Sequence, residues 1–176
     1  MSQARTYRQA NLIQRGLRSV AGLAPVSWVF ARTLHHIDRP VFRITRGRRT
    51  LTSMLTGLPV VMLTTTGART GFRRTLPLLG LPDDGRIVVI ASNYGQVDNP
   101  SWYYNLRAHP RAEISVAGGA VRDVRAREAE GAERERLWRL GLSIYPAWAG
   151  YAKRATDRRI PVMVLESVAS PEPGAD

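Results

Sequence analysis

The sequence contains no cysteine in 176 residues, which excludes disulfides, zinc–thiolate sites and thiol nucleophiles. Only three histidines are present, and His109 is remote in sequence from the adjacent pair His35 and His36, so a zinc site is not expected. No apolar run approaches the roughly 20 residues of a transmembrane helix. The N-terminus also lacks the continuous apolar core of a signal peptide. These absences predict a soluble or peripheral cytoplasmic protein.

Acidic residues are scarce, with 14 Asp and Glu against 26 Lys and Arg, which gives a net charge of +12. Lys153 is the only lysine, and residues 1–50 hold ten arginines against the single acid Asp38. This asymmetry predicts an anionic partner surface, either a membrane or a nucleic acid. An apolar fraction of 44% and a length typical of one domain predict a folded chain with its own core.

Residues 1–50 read as a basic helical extension. Within it, residues 3–24 predict an amphipathic helix, because Ile13, Leu17 and Val20 share one third of the helical wheel while the arginines cluster on another arc. Such a helix either lies in a membrane interface, here the inner face of the plasma membrane, or packs as a cover on the domain. The sequence does not decide between these two interpretations.

From Pro59 onward the hydrophobic pattern changes from helical to strand period. Six strands are expected, at 60–66, 74–81, 86–92, 112–117, 120–128 and 160–168, with helices at 100–109 and 133–145. Asn99 and Pro100 are expected as the N-cap and first residue of the shorter helix. Residues 51–169 therefore predict a mainly β domain with helices, a small and mostly antiparallel barrel, and residues 170–176 predict a flexible tail.

The turn between the first two strands, Gly67 to Gly71, has the composition of an anion-binding loop. Glycines allow close approach of the backbone, and Arg69, Arg73 and Arg74 offer bidentate bonds to phosphate or carboxylate. The alternative is a hairpin whose arginines are simply solvated. The turn lacks both the Walker pattern and the G-x-G-x-x-G pattern, so its sequence alone does not assign it a function.

Three stretches, LPVVMLTTTGARTGFRRTLPLL, VVIASNYGQ…NPSWYYNLRAHP and YPAWAGYAKRATDRRIPVMVLE, together resemble the deazaflavin-dependent nitroreductase and quinone reductase family. The resemblance covers roughly residues 40–168. It implies a split β-barrel of the FMN-binding type that binds 8-hydroxy-5-deazaflavin, coenzyme F-420, without a covalent bond. It also implies an oxidoreductase that reduces quinones, nitro compounds or activated double bonds.

The resemblance assigns the cofactor contacts residue by residue. Arg69 matches a basic phosphate contact, with Thr70 and Gly71 donating beside it, and Arg74 matches a second basic contact. The remaining positions that match the family's cofactor site are Thr75, Pro77, Ala91, Ser92, Asn93, Trp102 and Asn105. A basic residue sometimes stands where this chain has Asn93, which puts one contact to the anionic tail in question. Taken alone, Trp102 is more often a core residue.

The resemblance also assigns a substrate side. Leu79, Ser92, Tyr145, Trp148 and Tyr151 match positions that line the substrate pocket. The three aromatics are three residues apart, so on one helix they would share a face. Tryptophan at 148 departs from a common tyrosine and is expected to narrow the pocket. The alternatives are that all three are core residues or that they form a movable lid that excludes water.

Hydride transfer from the reduced deazaflavin to a small electrophilic substrate is the implied reaction, and no covalent nucleophile is needed. Ser92, Tyr145, Tyr151 or water would supply or stabilise the proton that the product takes up. One alternative keeps the barrel but binds FMN or haem. Another is a basic module that binds membrane or nucleic acid, although a nucleic-acid reading motif is absent and specific nucleic-acid binding is not expected. The oligomeric state stays open.

Overall fold

The computed structural model describes residues 59–155 and 157–168, in which six antiparallel strands close into a barrel. Around the barrel the strands lie in the order β1, β2, β3, β6, β5, β4, and β4 pairs again with β1. This architecture confirms the predicted mainly β fold. The strands are β1 Val60–Thr66, β2 Arg73–Asp83, β3 Arg86–Ile90, β4 Arg111–Val116, β5 Arg122–Glu128 and β6 Val162–Ser167.

Three α-helices accompany the barrel in the described residues: α1 Ser101–Ala108, α2 Gly131–Ile144 and α3 Ala147–Arg154. The buried side chains Trp102, Tyr103 and Leu106 of α1 pack into the same core cluster as the inward-facing strand residues. Helices α2 and α3 pack on the other side of the sheet. None of the helices in this part of the chain is long and apolar enough to cross a membrane.

Strands β3 and β6 are buried on both faces, which explains their continuous apolar sequences. In β3, Ile87 and Val89 face the cluster inside the barrel, whereas Val88 and Ile90 face α2 and α3. The same alternation recurs in β6, as expected from the two-residue period of a strand. One sheet therefore separates two cores, the barrel interior and a second core under α2 and α3.

Strand β2 has one partly uncovered edge. It pairs with β1 from Arg73 to Leu79, but with β3 only from Gly80 to Asp83. Within the described residues, no strand pairs with the other edge of β2 over 73–79. Pro77 lies in this section, and a proline is tolerated there because an edge position does not require its missing N–H. By strand geometry the uncovered edge is about 20 Å long.

The connections match the sequence expectations with some corrections. The β2–β3 turn is Asp84-Gly85, with φ of 45° and 77°, a two-residue hairpin turn of the kind that glycine allows; Pro82 belongs to β2. Pro100, not Asn99, is the N-cap of α1. Asn99 does not serve as the cap because its Oδ1 accepts a hydrogen bond from Arg158, at 2.7 Å.

A second correction concerns the aromatic residues. Trp148 and Tyr151 lie on α3, but Tyr145 is the C-cap residue that follows α2. Pro146 separates the two helices, so the three residues do not share one helical face. The predicted amphipathic helix at 3–24 and the histidine pair lie outside the described residues. So do the boundaries of the extension at 50 and of the tail at 170, and the domain division therefore stays a prediction.

Candidate cofactor and substrate site

The turn between β1 and β2 is closed by its own backbone. The Gly67 N–H donates to the Phe72 carbonyl oxygen at 2.9 Å, and the Gly71 N–H donates to the Gly67 carbonyl oxygen at 2.9 Å. Gly71 adopts a φ of 68°, a conformation that glycine takes without steric cost. Arg69 and Thr70 are exposed at the tip. The turn thus presents Arg69 to solvent from a fixed backbone.

Two of the three arginine side chains expected at this turn have no partner among the described residues. Arg73 forms an ion pair with Glu113, which occupies its guanidinium. The guanidiniums of Arg69 and Arg74 make no hydrogen bond or ion pair to any described residue, and both residues are exposed. Many other arginines in this part of the chain are paired, for example Arg86 and Arg127. Two unpaired guanidiniums beside a glycine turn fit an anionic group such as a phosphodiester.

A buried side chain of helix α1 holds the turn in place through hydrogen bonds. Asn105 is buried, accepts a hydrogen bond from the Ala68 N–H at 2.9 Å and donates to Thr65 Oγ1 at 3.0 Å. Trp102 is 5% exposed and packs inside the barrel cluster. The family resemblance predicts that both residues contact the cofactor. In the structure Asn105 holds the turn, and Trp102 anchors the helix in the core.

The outer face of β2 leads from the turn toward the second core. Thr75 and Leu79 are separated by even steps from Pro77 and therefore share its face. The Thr75 hydroxyl is 2.8 Å from the Thr64 hydroxyl of the neighbouring strand. Leu79 packs against the core under α2 and α3, whereas Arg74 alternates to the opposite face. Three residues predicted from the resemblance, Thr75, Pro77 and Leu79, thus form one row.

The loop after β3 carries the next group of predicted residues, Ala91, Ser92 and Asn93. Asn93 and Tyr94 have positive φ values of 45° and 55°, a conformation that asparagine tolerates but that is unfavourable for tyrosine. The Asn93 side chain donates to the Asp98 carbonyl oxygen at 2.8 Å. No described residue bonds the Ser92 hydroxyl, so it is available to a ligand.

The aromatic residues form a buried cluster. Tyr145, Trp148 and Tyr151 are 5%, 3% and 3% exposed, and the Tyr145 and Tyr151 hydroxyl oxygens are 3.3 Å apart. The rings of Tyr145 and Trp148 meet edge to face with centroids 5.2 Å apart. Burial, reinforced by the neighbouring Tyr151, raises the pKa of Tyr145 above its ordinary value, so the hydroxyl remains protonated. Leu79 packs against this cluster.

Arg158 is not among the residues that the sequence predicts for the site. Its guanidinium donates to the carbonyl oxygens of Ser92 at 2.8 Å and Gln96 at 3.0 Å, and to Asn99 Oδ1 at 2.7 Å. A longer bond of 3.4 Å reaches the Ala91 carbonyl oxygen. Nothing in the sequence distinguishes Arg158 from Arg159, which is exposed and pairs with Glu135. Only the fold brings Arg158 to this loop.

The described residues contain no group of carboxylates and histidines that could hold a metal ion. The barrel carries a cationic turn at one end of the uncovered edge of β2 and an aromatic cluster at the other end.

Residues 37–167 match the family described as F420H(2)-dependent quinone reductase. The chain belongs to this family, whose members are oxidoreductases that use coenzyme F420.

Individual relatives agree with the family match. The chain is 35% identical over 112 residues to an F420H(2)-dependent quinone reductase of Mycobacterium tuberculosis, covering 61% of this chain and 72% of that protein. It is 41% identical to a solved F420-H2 dependent reductase, FDR-A, with a TM-score of 0.56 over 61% of this chain and 93% of that one. A structure described as a domain-swapped dimer is 35% identical, with a TM-score of 0.58 over 81% and 100% of the two chains.

Proposed function

We propose that this protein reduces a quinone with F420H2 and that both ligands bind along the uncovered edge of β2. The observation that carries this proposal is the row on the outer face of β2, Thr75, Pro77 and Leu79. This row joins the turn that carries the unpaired Arg69 guanidinium to a cluster of three buried aromatics, and Arg74 flanks the same turn from the opposite face of β2. The cationic turn at one end of the row matches an anionic tail, and the aromatic cluster at the other end matches a flat apolar ring.

On the cofactor side, Arg69 and Arg74 bind the anionic part of the coenzyme, and the backbone at Thr70 and Gly71 lies beside it. Thr75, Pro77, Ala91 and Asn93 border the ring, as the family resemblance implies. Trp102 and Asn105 contribute by holding α1 and the turn in place. Coenzyme F420, when bound in its reduced state, supplies a hydride, which is two electrons and one proton.

On the substrate side, Leu79, Trp148 and the two tyrosines form the apolar contact for the quinone ring and exclude water from it. A quinone that accepts a hydride needs one further proton to become a hydroquinone. Ser92, Tyr145 or Tyr151, or a water molecule bound by them, supplies that proton or hydrogen-bonds the quinone oxygen. Because burial raises the pKa of Tyr145, that residue enters the reaction as a protonated hydrogen-bond donor.

The test is anaerobic oxidation of F420H2 by the purified protein with a quinone, a nitro compound and an enone as separate acceptors. We expect turnover with the quinone to exceed turnover with the other two. Reduced FMN serves as the control donor and is expected to support no reaction above the rate without protein. Turnover with the nitro compound or enone alone would leave the cofactor assignment in place and reject the quinone.

Residues 3–24 are predicted to form a basic amphipathic helix, and we propose that they bring the enzyme to an anionic membrane surface, where apolar quinones dissolve. Support comes from the composition alone, with Arg5, Arg8, Arg15 and Arg18 on one arc. Sedimentation with anionic liposomes should remove the protein from the supernatant at low salt and less so at high salt. Protein that stays in the supernatant at low salt would contradict membrane binding.

A further inference from the structure

We propose that Arg158 is a positioning residue that fixes the loop after β3 so that the Ser92 hydroxyl faces the substrate. The inference rests on the proposed function, because it concerns how the substrate is held. It depends on three features of the described residues: the bonds of Arg158, the strained backbone of the loop, and the docking of the loop on α3.

The hydrogen bonds of Arg158 all end on one loop. Its guanidinium contacts Ala91, Ser92, Gln96 and Asn99, which span the loop from its first residue to the start of α1. The donors of arginine are held in a planar fork, so acceptors bound to it are fixed relative to one another. Arg158 therefore fixes the two ends of the loop relative to each other, and the loop's path between them is constrained.

The backbone that Arg158 holds is unfavourable by itself. Asn93 and Tyr94 both adopt positive φ; asparagine tolerates this conformation, but for Tyr94 it costs about 1 kcal/mol or more. A free loop would relax toward negative φ and rotate its side chains. The bonds from Arg158, together with the bond from Asn93 to Asp98, offset this cost. Backbone strain of this kind persists where the surrounding structure enforces it.

The loop also packs closely against the aromatic cluster. A Cβ atom at Gly95 would lie 2.6 Å from the Tyr151 carbonyl oxygen, so the loop backbone touches α3. Arg154 of α3 donates to the Tyr94 carbonyl oxygen at 3.3 Å and lies over the Tyr151 ring. The loop that carries Ser92 and the helix that carries Trp148 and Tyr151 therefore form one unit.

The bonds of Arg158 leave the Ser92 side chain available. Arg158 and the Gly95 N–H both use the Ser92 carbonyl oxygen, and the Ser92 hydroxyl has no partner among the described residues. The bonds to the Ser92 carbonyl oxygen fix its backbone, while its hydroxyl makes no bond to a described residue. This arrangement is expected of a hydroxyl that binds a ligand in one defined orientation. Arg158 thus acts on the substrate only through Ser92.

A double-mutant cycle tests this role in the full-length protein with F420H2 and a quinone. Ser92→Ala is expected to lower kcat about tenfold, the effect of one lost hydrogen bond. Arg158→Lys keeps the charge but loses the fork, and we expect a decrease of about tenfold or more. If Arg158 acts through Ser92, the double variant should be little worse than the more impaired single variant.

Multiplied effects in the double variant would overturn the proposal, because they would mean that Arg158 acts independently of Ser92. So would an Arg158→Lys enzyme with wild-type kcat. Arg159→Lys is the matched control, since it changes the neighbouring arginine that pairs on the surface with Glu135, and it should leave kcat unchanged. Affinity for F420 should fall less than kcat does in every variant, because Arg69 and Arg74, which bind the tail, lie outside this loop.

If Arg158→Lys does not fold, Asn99→Ala replaces it in the cycle, because this change removes one acceptor of Arg158 and no residue of the sheet. The same non-additivity with Ser92→Ala is expected, from a smaller single effect of about threefold. Additive effects would again reject the proposal. A wild-type protein that turns over no quinone but binds F420 would reject the proposed substrate instead, which separates the two failures.

Discussion

Asn105 Oδ1 on α1 accepts a hydrogen bond from the backbone N–H of Ala68 at 2.9 Å, and the two residues are 37 positions apart in the sequence. The same side chain donates to the buried hydroxyl of Thr65 at 3.0 Å. One amide therefore links the helix that packs into the barrel core to the turn that presents Arg69. The consequence is that the position of the cationic turn depends on a residue that faces away from solvent.

Asn105→Ala should loosen this turn. The substitution leaves Thr65 and the Ala68 N–H without their partner, and we expect a loss of about 1–3 kcal/mol in the free energy of unfolding. F420 affinity should fall about tenfold because Arg69 is no longer held. Asn105→Asp is the matched comparison, since it retains an oxygen for Ala68. Chemical denaturation and fluorescence titration measure the two effects, and wild-type F420 affinity in Asn105→Ala would contradict this role.

Alanine substitutions at Gly95 and Gly85 distinguish the effect of backbone conformation from the effect of packing. Both have positive φ, 78° and 77°, but only a Cβ atom at Gly95 meets a neighbour, the Tyr151 carbonyl oxygen at 2.6 Å. Gly95→Ala should therefore destabilise the protein by about 1–3 kcal/mol more than Gly85→Ala. It should also reduce quinone turnover, whereas Gly85→Ala should not. Equal unfolding temperatures for the two variants would show that the loop does not pack against α3.

Tyr145 should remain protonated throughout the working range of pH. Burial raises its pKa above the ordinary value of 10.0, so the uncharged form persists at pH values where an exposed tyrosine ionises. A pH titration of tyrosinate absorbance should show no difference between wild type and Tyr145→Phe below about pH 10. A smaller tyrosinate absorbance in Tyr145→Phe than in wild type within that pH range would show that Tyr145 ionises there, and would contradict a buried, neutral hydroxyl.

Asp83 should make stability depend on pH. Hydrogen bonds from Arg136, with a further contribution from Arg86, hold the pKa of Asp83 below its ordinary value of 3.8. A lowered pKa contributes stability above the unfolded-state value, and this contribution is lost as pH falls through the folded-state value. Asp83→Asn should therefore cost about 1–2 kcal/mol at neutral pH, and this difference should shrink below about pH 4.

The neighbouring substitution Asp84→Asn is the control for Asp83. Asp84 is exposed in the β2–β3 turn at a φ of 45°, and asparagine suits that conformation before a glycine. Denaturation curves at neutral pH and at low pH should separate the two variants only at neutral pH. A constant difference between Asp83→Asn and wild type at both pH values would mean that the ion pairs do not stabilise the fold.

The strands were predictable because their pattern is local. β1 coincides with its expected range, and the apolar sequences of β3 and β6 identified them, although β3 ends two residues earlier than expected and β6 begins two residues later and ends one earlier. The site residues lie on three separate stretches of the sequence, and no local pattern shows that these stretches meet. The family resemblance, which the family match confirms, is what joins these stretches at the level of sequence. The individual residue roles at the site stay predictions.

What the sequence did not predict are relationships that only the fold creates. Arg158 reaches the loop after β3 across more than fifty residues, and nothing local distinguishes it from Arg159. Asn99 is displaced from its expected capping role by that same arginine. The prediction of one shared helical face for Tyr145 and the two later aromatics was wrong, because Pro146 begins a new element between them.

Binding of coenzyme F420 measured by fluorescence titration, with FMN titrated in parallel, tests the central claim most directly. Wild type should bind F420 and not FMN, and Arg69→Ala/Arg74→Ala should bind F420 at least about tenfold more weakly. Arg122→Ala removes an exposed charge from the start of β5, which lies three strands from β2 in either direction around the barrel, and should bind as wild type does. Unchanged affinity in the double variant would remove the β1–β2 turn from the cofactor site.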